Sequence, residues 1–271
     1  MGTKILFRKT LAEEGEFEIA KKYFDVIESR ADIKEGDFII GRYSVLPYFR
    51  ELEQDIEKLG GRLINNHYDH EYVADLQNWY YDFEDLTPKT WFRLEDVPQN
   101  APGPFVLKGA INSRKQLWRT HMFAKTRQDV MDVYFRLMDD SLLQHQGIYI
   151  REYENFKQYS VNSITGCPIA REFRIFVCNG DVMAKGFYWS QFDDAEEISA
   201  NDIPNSLIYD IIDRVAGKSN FFIVDVAEDT SGRWRVVEFG DAQMGGLSCC
   251  DPHELYKNLK NKQCNTYNPK D

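Results

Sequence analysis

No apolar run in this 271-residue chain is long enough to cross a bilayer. Runs such as 221–224 hold four residues where about twenty are needed. The one early apolar stretch is interrupted by Lys4, Arg8 and Lys9, so no signal peptide is expected. Leu6 stands where a myristoylation pattern needs Ser or Thr. Cysteine is scarce and odd in number: Cys167, Cys178, Cys249, Cys250 and Cys264, none at CxxC spacing. That excludes a disulfide framework and predicts reduced thiols, and the adjacent Cys249 and Cys250 are poorly placed to bridge. Histidine is scarce too. His67 and His70 flank Asp69, but no further ligands recur at zinc spacing, so both read as loop residues, and nothing favours a Cys/His nucleophile. Positive charge is in deficit, with 33 Lys and Arg against 44 Asp and Glu, a net charge of −11. A chain this acidic is a poor general partner for nucleic acid, though a local basic site remains open. There is no GxxxxGK[ST], no GxGxxG after a strand, and no HRD or DFG, which excludes P-loop proteins and ordinary protein kinases. Lys108 is followed by Gly109 and Ala110, not by the KxDG spacing of a self-adenylylating nucleic-acid ligase.

What is present is a chain with 43 % hydrophobic and 14 % aromatic residues, which suits a packed core and argues against disorder. These features predict a soluble cytoplasmic protein. Residues 4–7, 37–40 and 62–64 read as strands. Between them, residues 16–29 carry Phe17, Ala20, Tyr23, Phe24 and Ile27 at helical spacing, and 46–59 form a helix stopped by Gly60 and Gly61. This alternation predicts a small α/β unit with a parallel sheet. Helical segments follow over 69–82. Pro98, Pro102, Gly103 and Pro104 then mark a linker. Strands at 105–108 and 147–153, and helices at 127–140 and 205–215, complete the coarse reading.

Two hairpins place charges. In the first, 174–178 and 181–185 flank Asn179-Gly180, the strongest short-range hairpin signal. A two-residue turn pairs Cys178 with Asp181, Phe176 with Met183, and Arg174 with Lys185. Like charges in direct cross-strand contact destabilise a sheet, and a bound phosphate chain relieves them. Two side chains splaying into water is the alternative. In the second hairpin, strands 221–228 and 233–239 flank a four-residue loop, and Asp225 and Glu238 share one face. Two carboxylates set in apolar strands call for a cation, and hard oxygen ligands suit Mg²⁺; an ordinary solvated face is the alternative. Asp241 can supply a third oxygen. Lys108 ends the apolar strand 105–108, from which it can reach a phosphate or snorkel to solvent.

In this order, the elements resemble the ATP-grasp superfamily over nearly the whole chain. Lys108 with the loop 109–115 resembles the phosphate-contacting strand and its cover. Residues 148–153 resemble the hinge strand that reads adenine. Asp225 and Glu238 match the two metal carboxylates, and Arg171, Arg174 and Lys185 resemble a subgroup marked by two arginines and a lysine. Many members carry Asn two residues after the metal Glu; here Gly240 stands there and Asp241 follows.

The resemblance implies an α/β (α+β) ATP-grasp fold in which two α+β subdomains, 89–147 and 148–271, hold the nucleotide, preceded by a parallel α/β domain, 1–88. It implies ATP and Mg²⁺ as cofactors. Lys108 is expected at the α- and β-phosphates, Glu152, Tyr153 and Glu154 at adenine and ribose, and Arg174 and Lys185 at the γ-phosphate. Asp225, Glu238 and Asp241 are expected at the metal, and Arg151 and Arg171 at a substrate carboxylate, with a surface ion pair as the alternative for Arg171. The implied reaction is amide formation through an acyl phosphate, joining a carboxylate to an amine on a small molecule, peptide or protein. Neither nucleic acid nor membrane is an expected partner. The loop 109–115 is the expected lid, and the acidic connection at Asp193, Asp194, Glu196 and Glu197 either attracts an amine or is simply solvated. A non-catalytic ATP-binding adaptor and a phosphotransferase are the alternative functions.

Overall fold

The computed structural model describes residues 2–11, 13, 15–143, 146–192, 195 and 198–262. The acidic connection at Asp193, Asp194, Glu196 and Glu197 lies outside the described residues, as does Cys264. Fourteen strands are formed: β1 Thr3–Phe7, β2 Asp25–Ile27, β3 Phe38–Arg42, β4 Arg62–Leu63, β5 Thr90–Trp91, β6 Phe105–Gly109, β7 Phe123–Ala124, β8 Ile148–Glu152, β9 Gln158–Val161, β10 Pro168–Ala170, β11 Glu172–Cys178, β12 Asp181–Phe187, β13 Phe221–Glu228 and β14 Trp234–Asp241. The helices are α1 Glu16–Ala20, α2 Phe49–Lys58, α3 His67–Ala74, α4 Leu76–Trp79, α5 Arg127–Met138, α6 Asn205–Val215 and α7 Pro252–Lys262. Among the described residues no helix is long and apolar enough to cross a membrane.

Chain order and spatial grouping differ. One compact unit gathers Met1–Val73, Phe173–Asp225 and Phe239–Asp271, and the other Ala74–Glu172 and Val226–Glu238.

The first unit contains the expected parallel sheet, in the order β2-β1-β3-β4. Helix α2 buries Phe49, Leu52 and Ile56, and Gly60, at φ 78°, supplies the left-handed stop. The helix expected over 16–29 is a correction. It ends at Ala20, and Asp25–Ile27 instead pairs with β1, Val26 opposite Ile5. The apolar spacing was real, since Phe17, Ala20, Phe24 and Ile27 are all buried, but sheet pairing outweighed helical propensity there. The same unit holds most of a second sheet, ordered β12-β11-β13-β14. Phe176, Met183 and Phe221 from that sheet share a core with Ile5, Phe7 and Ile40 of the parallel sheet and with Leu255, Tyr256 and Leu259 of α7.

The second unit is built on the sheet β5-β8-β6-β7, with the two-stranded ribbon β10-β9 beside it in sequence. Helix α5 opens on a reciprocal cap between Thr126 and Asp129, and buries Val130, Val133 and Leu137 with Phe105, Leu107 and Ile150.

The first hairpin turns as expected: Asn179 and Gly180 both have positive φ, 47° and 83°, and Cys178 faces Asp181. Its register then departs. A bulge between Phe176 and Val177 shifts the pairing, so Phe176 faces Ala184, Ile175 faces Lys185, and Arg174 faces Gly186. Arg174 and Lys185 are therefore not cross-strand partners, and the expected repulsion does not arise.

Buried Asn65 ties the parallel sheet to β13. Its amide nitrogen donates to Phe221 O at 2.7 Å, and its oxygen accepts from Phe221 N at 2.9 Å and Asn220 N at 3.1 Å. Asn65→Ala leaves those backbone groups unpaired in the interior, so chemical denaturation is expected to show a loss of about 2–3 kcal/mol. A change under about 0.5 kcal/mol contradicts this role.

Candidate functional site

The second unit carries Lys108, Arg151, Glu152, Tyr153, Glu154, Arg171 and Glu238. Lys108 sits on β6 opposite Tyr149 of β8, and its side chain is only 7 % exposed. A lysine in that setting requires a counter-charge, and its ammonium donates to Glu238 Oε1. Beside them, buried Arg151 donates to Val237 O at 2.8 Å and Thr87 Oγ1 at 2.7 Å. Its Nε has no hydrogen-bond partner. Burial lowers the Arg151 pKa to about 10, with Glu238 acting against that shift, so it is still a cation at neutral pH. The structure thus places Arg151 beneath the surface, held by backbone and hydroxyl acceptors.

At the end of β8 the exposed Glu152 donates its N–H to Lys89 O, and Tyr153 donates its N–H to Pro104 O at 3.0 Å. The Tyr153 ring meets Phe123 edge-on at 5.5 Å and lies 6.5 Å from Trp118. Glu154 lies 3.6 Å from Arg235. The loop after Lys108 is tied down: Ile111 and Asn112 N–H groups donate to Gln146 Oε1, and Arg114 pairs with Asp140 at 2.7 Å. Arg171 pairs with Glu228, which also accepts from Lys157, and its guanidinium lies 5.4 Å over the Trp234 ring. Burial raises the Glu228 pKa, but the two cations outweigh it and hold the group below its ordinary 4.5. Their contribution to stability is present above that value and fades as pH falls through the lowered one.

The first unit carries Arg174, Lys185, Asp225 and Asp241. Arg174 Nε and Nη2 each donate to one oxygen of Asp225, both at 2.9 Å, and Nη1 donates to Gly246 O at 2.8 Å. Burial lowers the Arg174 pKa, but the Asp225 carboxylate more than offsets it and the net shift is upward. This bidentate pair, with Asp225 only 2 % exposed, neutralises the charge that the sequence placed on β11. Lys185 stands apart, with no hydrogen bond or ion pair to any described residue.

Asp241 has a different setting. Its Oδ1 accepts from Asn65 Nδ2 at 3.0 Å and Gln243 N at 2.9 Å, and its Oδ2 from His70 Nδ1 at 3.1 Å and Gln243 Nε2 at 3.3 Å. His70, expected on a loop, is instead buried on α3 and stacked on Phe49 at 4.1 Å. Spacing gave no signal of this, because the partner lies 171 residues away.

These settings decide which groups suit a metal. Among the described residues no group of three or more His, Cys, Asp or Glu side chains converges as a preformed cage. Mg²⁺ at a nucleotide needs only one or two carboxylates, the rest coming from phosphate and water. Asp225 and Glu238 fit that demand, since a cation competing with Arg174 and Lys108 finds hard oxygens there. Asp241 does not fit, because four donors occupy its two oxygens. The thiols are no alternative nucleophiles: burial raises Cys167 to about 11, and raises Cys250 strongly as well.

With this geometry in hand, the family can be stated. The chain belongs to an ATP-grasp domain family, the third family of its clade, whose model matches residues 96–259. Solved structures agree on the fold. An ATP-grasp RimK domain protein from Sphaerobacter thermophilus superposes with TM-score 0.57 at 12 % identity, covering 95 % of this chain and 98 % of that one. The D-cycloserine synthetase DcsG gives 0.61 at 11 % identity, covering 96 % and 99 %. A RiPP-associated ATP-grasp ligase from Chryseobacterium gregarium, solved with ADP and a leader and core peptide, gives 0.59 at 10 % identity, covering 97 % of each. A search of the curated proteins finds no match.

The Arg174–Asp225 pair yields a stability test. Arg174→Ala and Asp225→Ala each strand a buried charge and are expected to cost about 3–5 kcal/mol in urea unfolding. The double variant Arg174→Met with Asp225→Leu recovers most of that loss. Additive losses in the double variant contradict the pairing.

Proposed function

We propose that this chain is an ATP- and Mg²⁺-dependent carboxylate–amine ligase, forming an amide through an acyl phosphate and releasing ADP and phosphate. One observation carries the reading. At both positions where the sequence resembles an ATP-grasp phosphate and metal site, cation and carboxylate are paired with each other, Lys108 with Glu238 and Arg174 with Asp225. Each pair is electrically balanced at rest, and a metal–phosphate ligand is balanced as well. Exchange of one for the other leaves no buried charge unpaired, so the resting pairs suit a site that fills and empties.

In this reading Lys108 holds the α- and β-phosphates from a rigid strand. Glu152, Tyr153 and Glu154 stand at adenine and ribose, and Arg174 and Lys185 take the charge that grows on the transferring γ-phosphoryl group. Asp225 and Glu238 hold Mg²⁺, which supplies neutralisation of the phosphate oxygens. The substrate carboxylate attacks the γ-phosphorus and ADP leaves. An amine then attacks the acyl carbon, phosphate departs, and the C–N bond is formed. Asp241 is assigned to holding β14 in place rather than to the metal. Arg151 and Arg171 are assigned to structure, since each already has acceptors within the second unit. The similar structures include a cycloserine synthetase and a ligase bound to leader and core peptides, which supports an amino-acid or peptide substrate.

Product analysis tests the reading. Mass spectrometry of a cell extract incubated with the protein and Mg·ATP is expected to show new amides, with ADP and phosphate released only when carboxylate and amine are both present. Glu238→Ala is expected to abolish that turnover while the far-UV spectrum is unchanged. A phosphorylated product supports a phosphotransferase instead, and tight Mg·ATP binding without turnover supports an adaptor. Full activity in Glu238→Ala contradicts the metal assignment.

A further inference from the structure

The first unit contains a cavity of about 810 Å³ that the nucleotide reading does not use. One wall is the end of β12, Lys185, Gly186 and Phe187, and another runs from Ser190 through Ser199 to Asn201. The third wall is the turn Ser248, Cys249 and Cys250, closed by Glu254 on the first turn of α7.

This cavity is built into the fold. A Cβ at Gly186 would lie 2.4 Å from the Cys249 carbonyl carbon and oxygen, so the turn packs on β12 as only glycine permits. Cys249 N–H donates to Phe187 O at 3.0 Å, and Ser248 takes a left-handed φ of 54°. Non-glycine residues in that conformation persist where the surroundings impose it, and such strain gathers at ligand sites. The volume lies within the range of small-molecule pockets.

The charges of the lining are few and unpaired. Lys185 and Glu254 are its cation and its carboxylate, and neither has a hydrogen bond or ion pair to a described residue. They stand near enough for Lys185 to oppose the upward shift that burial and Asp251 impose on Glu254, yet they do not join in an ion pair. A lysine and a glutamate held apart across a cavity leave room for a ligand between them. The remaining lining supplies hydroxyls and an amide from Ser190, Ser199 and Asn201, and apolar surface from Phe187, Phe192 and Ile198. If Lys185 serves the phosphoryl group, on the ligase reading above, Glu254 is the charge left to recognise a second substrate.

We propose that this cavity binds the amine substrate of the reaction, a free amino acid or the N-terminal residue of a short peptide, with the ammonium on Glu254. The side chain then lies against Phe187, Phe192 and Ile198, and the amino nitrogen is held on the side of the cavity opposite Lys185. A carboxylate matches an ammonium in charge and donor geometry, and an N-acylated amine loses both.

Thermal unfolding of the full chain with each of the twenty amino acids tests this, with and without Mg·AMPPNP. At about 5 mM, a millimolar site raises the midpoint by about 2 °C or more. At least one amino acid is expected to do so, its N-acetyl derivative is expected to fail, and Glu254→Gln is expected to lose the shift while keeping that of Mg·AMPPNP. An Mg·AMPPNP shift with no amino-acid shift, or an amino-acid shift that survives Glu254→Gln, overturns the pocket and leaves the nucleotide reading standing. An amino-acid shift that depends on Glu254, with no Mg·AMPPNP shift, supports the pocket and removes the nucleotide reading.

Discussion

A carboxylate taken out of water must be met by donors, and the architecture of this chain follows from how it meets that demand on β13 and β14. Asp225, Glu228, Glu238 and Asp241 all lie on these two strands, and each is met differently. Asp241 receives four neutral or histidine donors and becomes a fixed point of the first unit. Glu228 receives two cations and helps hold the second unit together. Asp225 and Glu238 each face a cation on a strand, and those two are the carboxylates whose partners a metal–phosphate ligand can replace. The same residue type, on the same two strands, is thus divided into structure and chemistry by the donors that surround it.

That division explains why only part of the site was legible in the sequence. Local signals were reliable. The Asn179-Gly180 turn and the helix at 205–215 were read from spacing and turn chemistry, which act within a few residues. The alternating strands and helices of the first sixty residues gave the parallel sheet, although residues 21–27 went to β2 because pairing with β1 is decided at long range. The bulge in the first hairpin left no mark in the sequence, and it undid the proposed Arg174–Lys185 repulsion. Arg174 still lies at a charged site, but for another reason: Asp225 neutralises it from a strand that the topology brings alongside. His70 and Asn65 went unassigned because their partners lie more than 150 residues away.

The proposed pocket carries the same logic one step further. The paired cations and carboxylates are satisfied without ligand, whereas Lys185 and Glu254 are left to the cavity they line. A buried pair at rest and an open pair across a cavity suit different tasks, the first to accept a charged cofactor and the second to recognise a zwitterionic molecule. The net charge of −11 is no obstacle to either, since neutralisation here is local.

The central claim is that the two resting ion pairs stand in for a metal–nucleotide complex. Calorimetric titration with ATP, in the presence and absence of Mg²⁺, tests it most directly. The account predicts that Mg²⁺ strengthens ATP binding at least about a hundredfold, and that Asp225→Asn with Glu238→Gln removes that dependence. Equal affinity with and without Mg²⁺, or a dependence on Mg²⁺ that survives both substitutions, would contradict it.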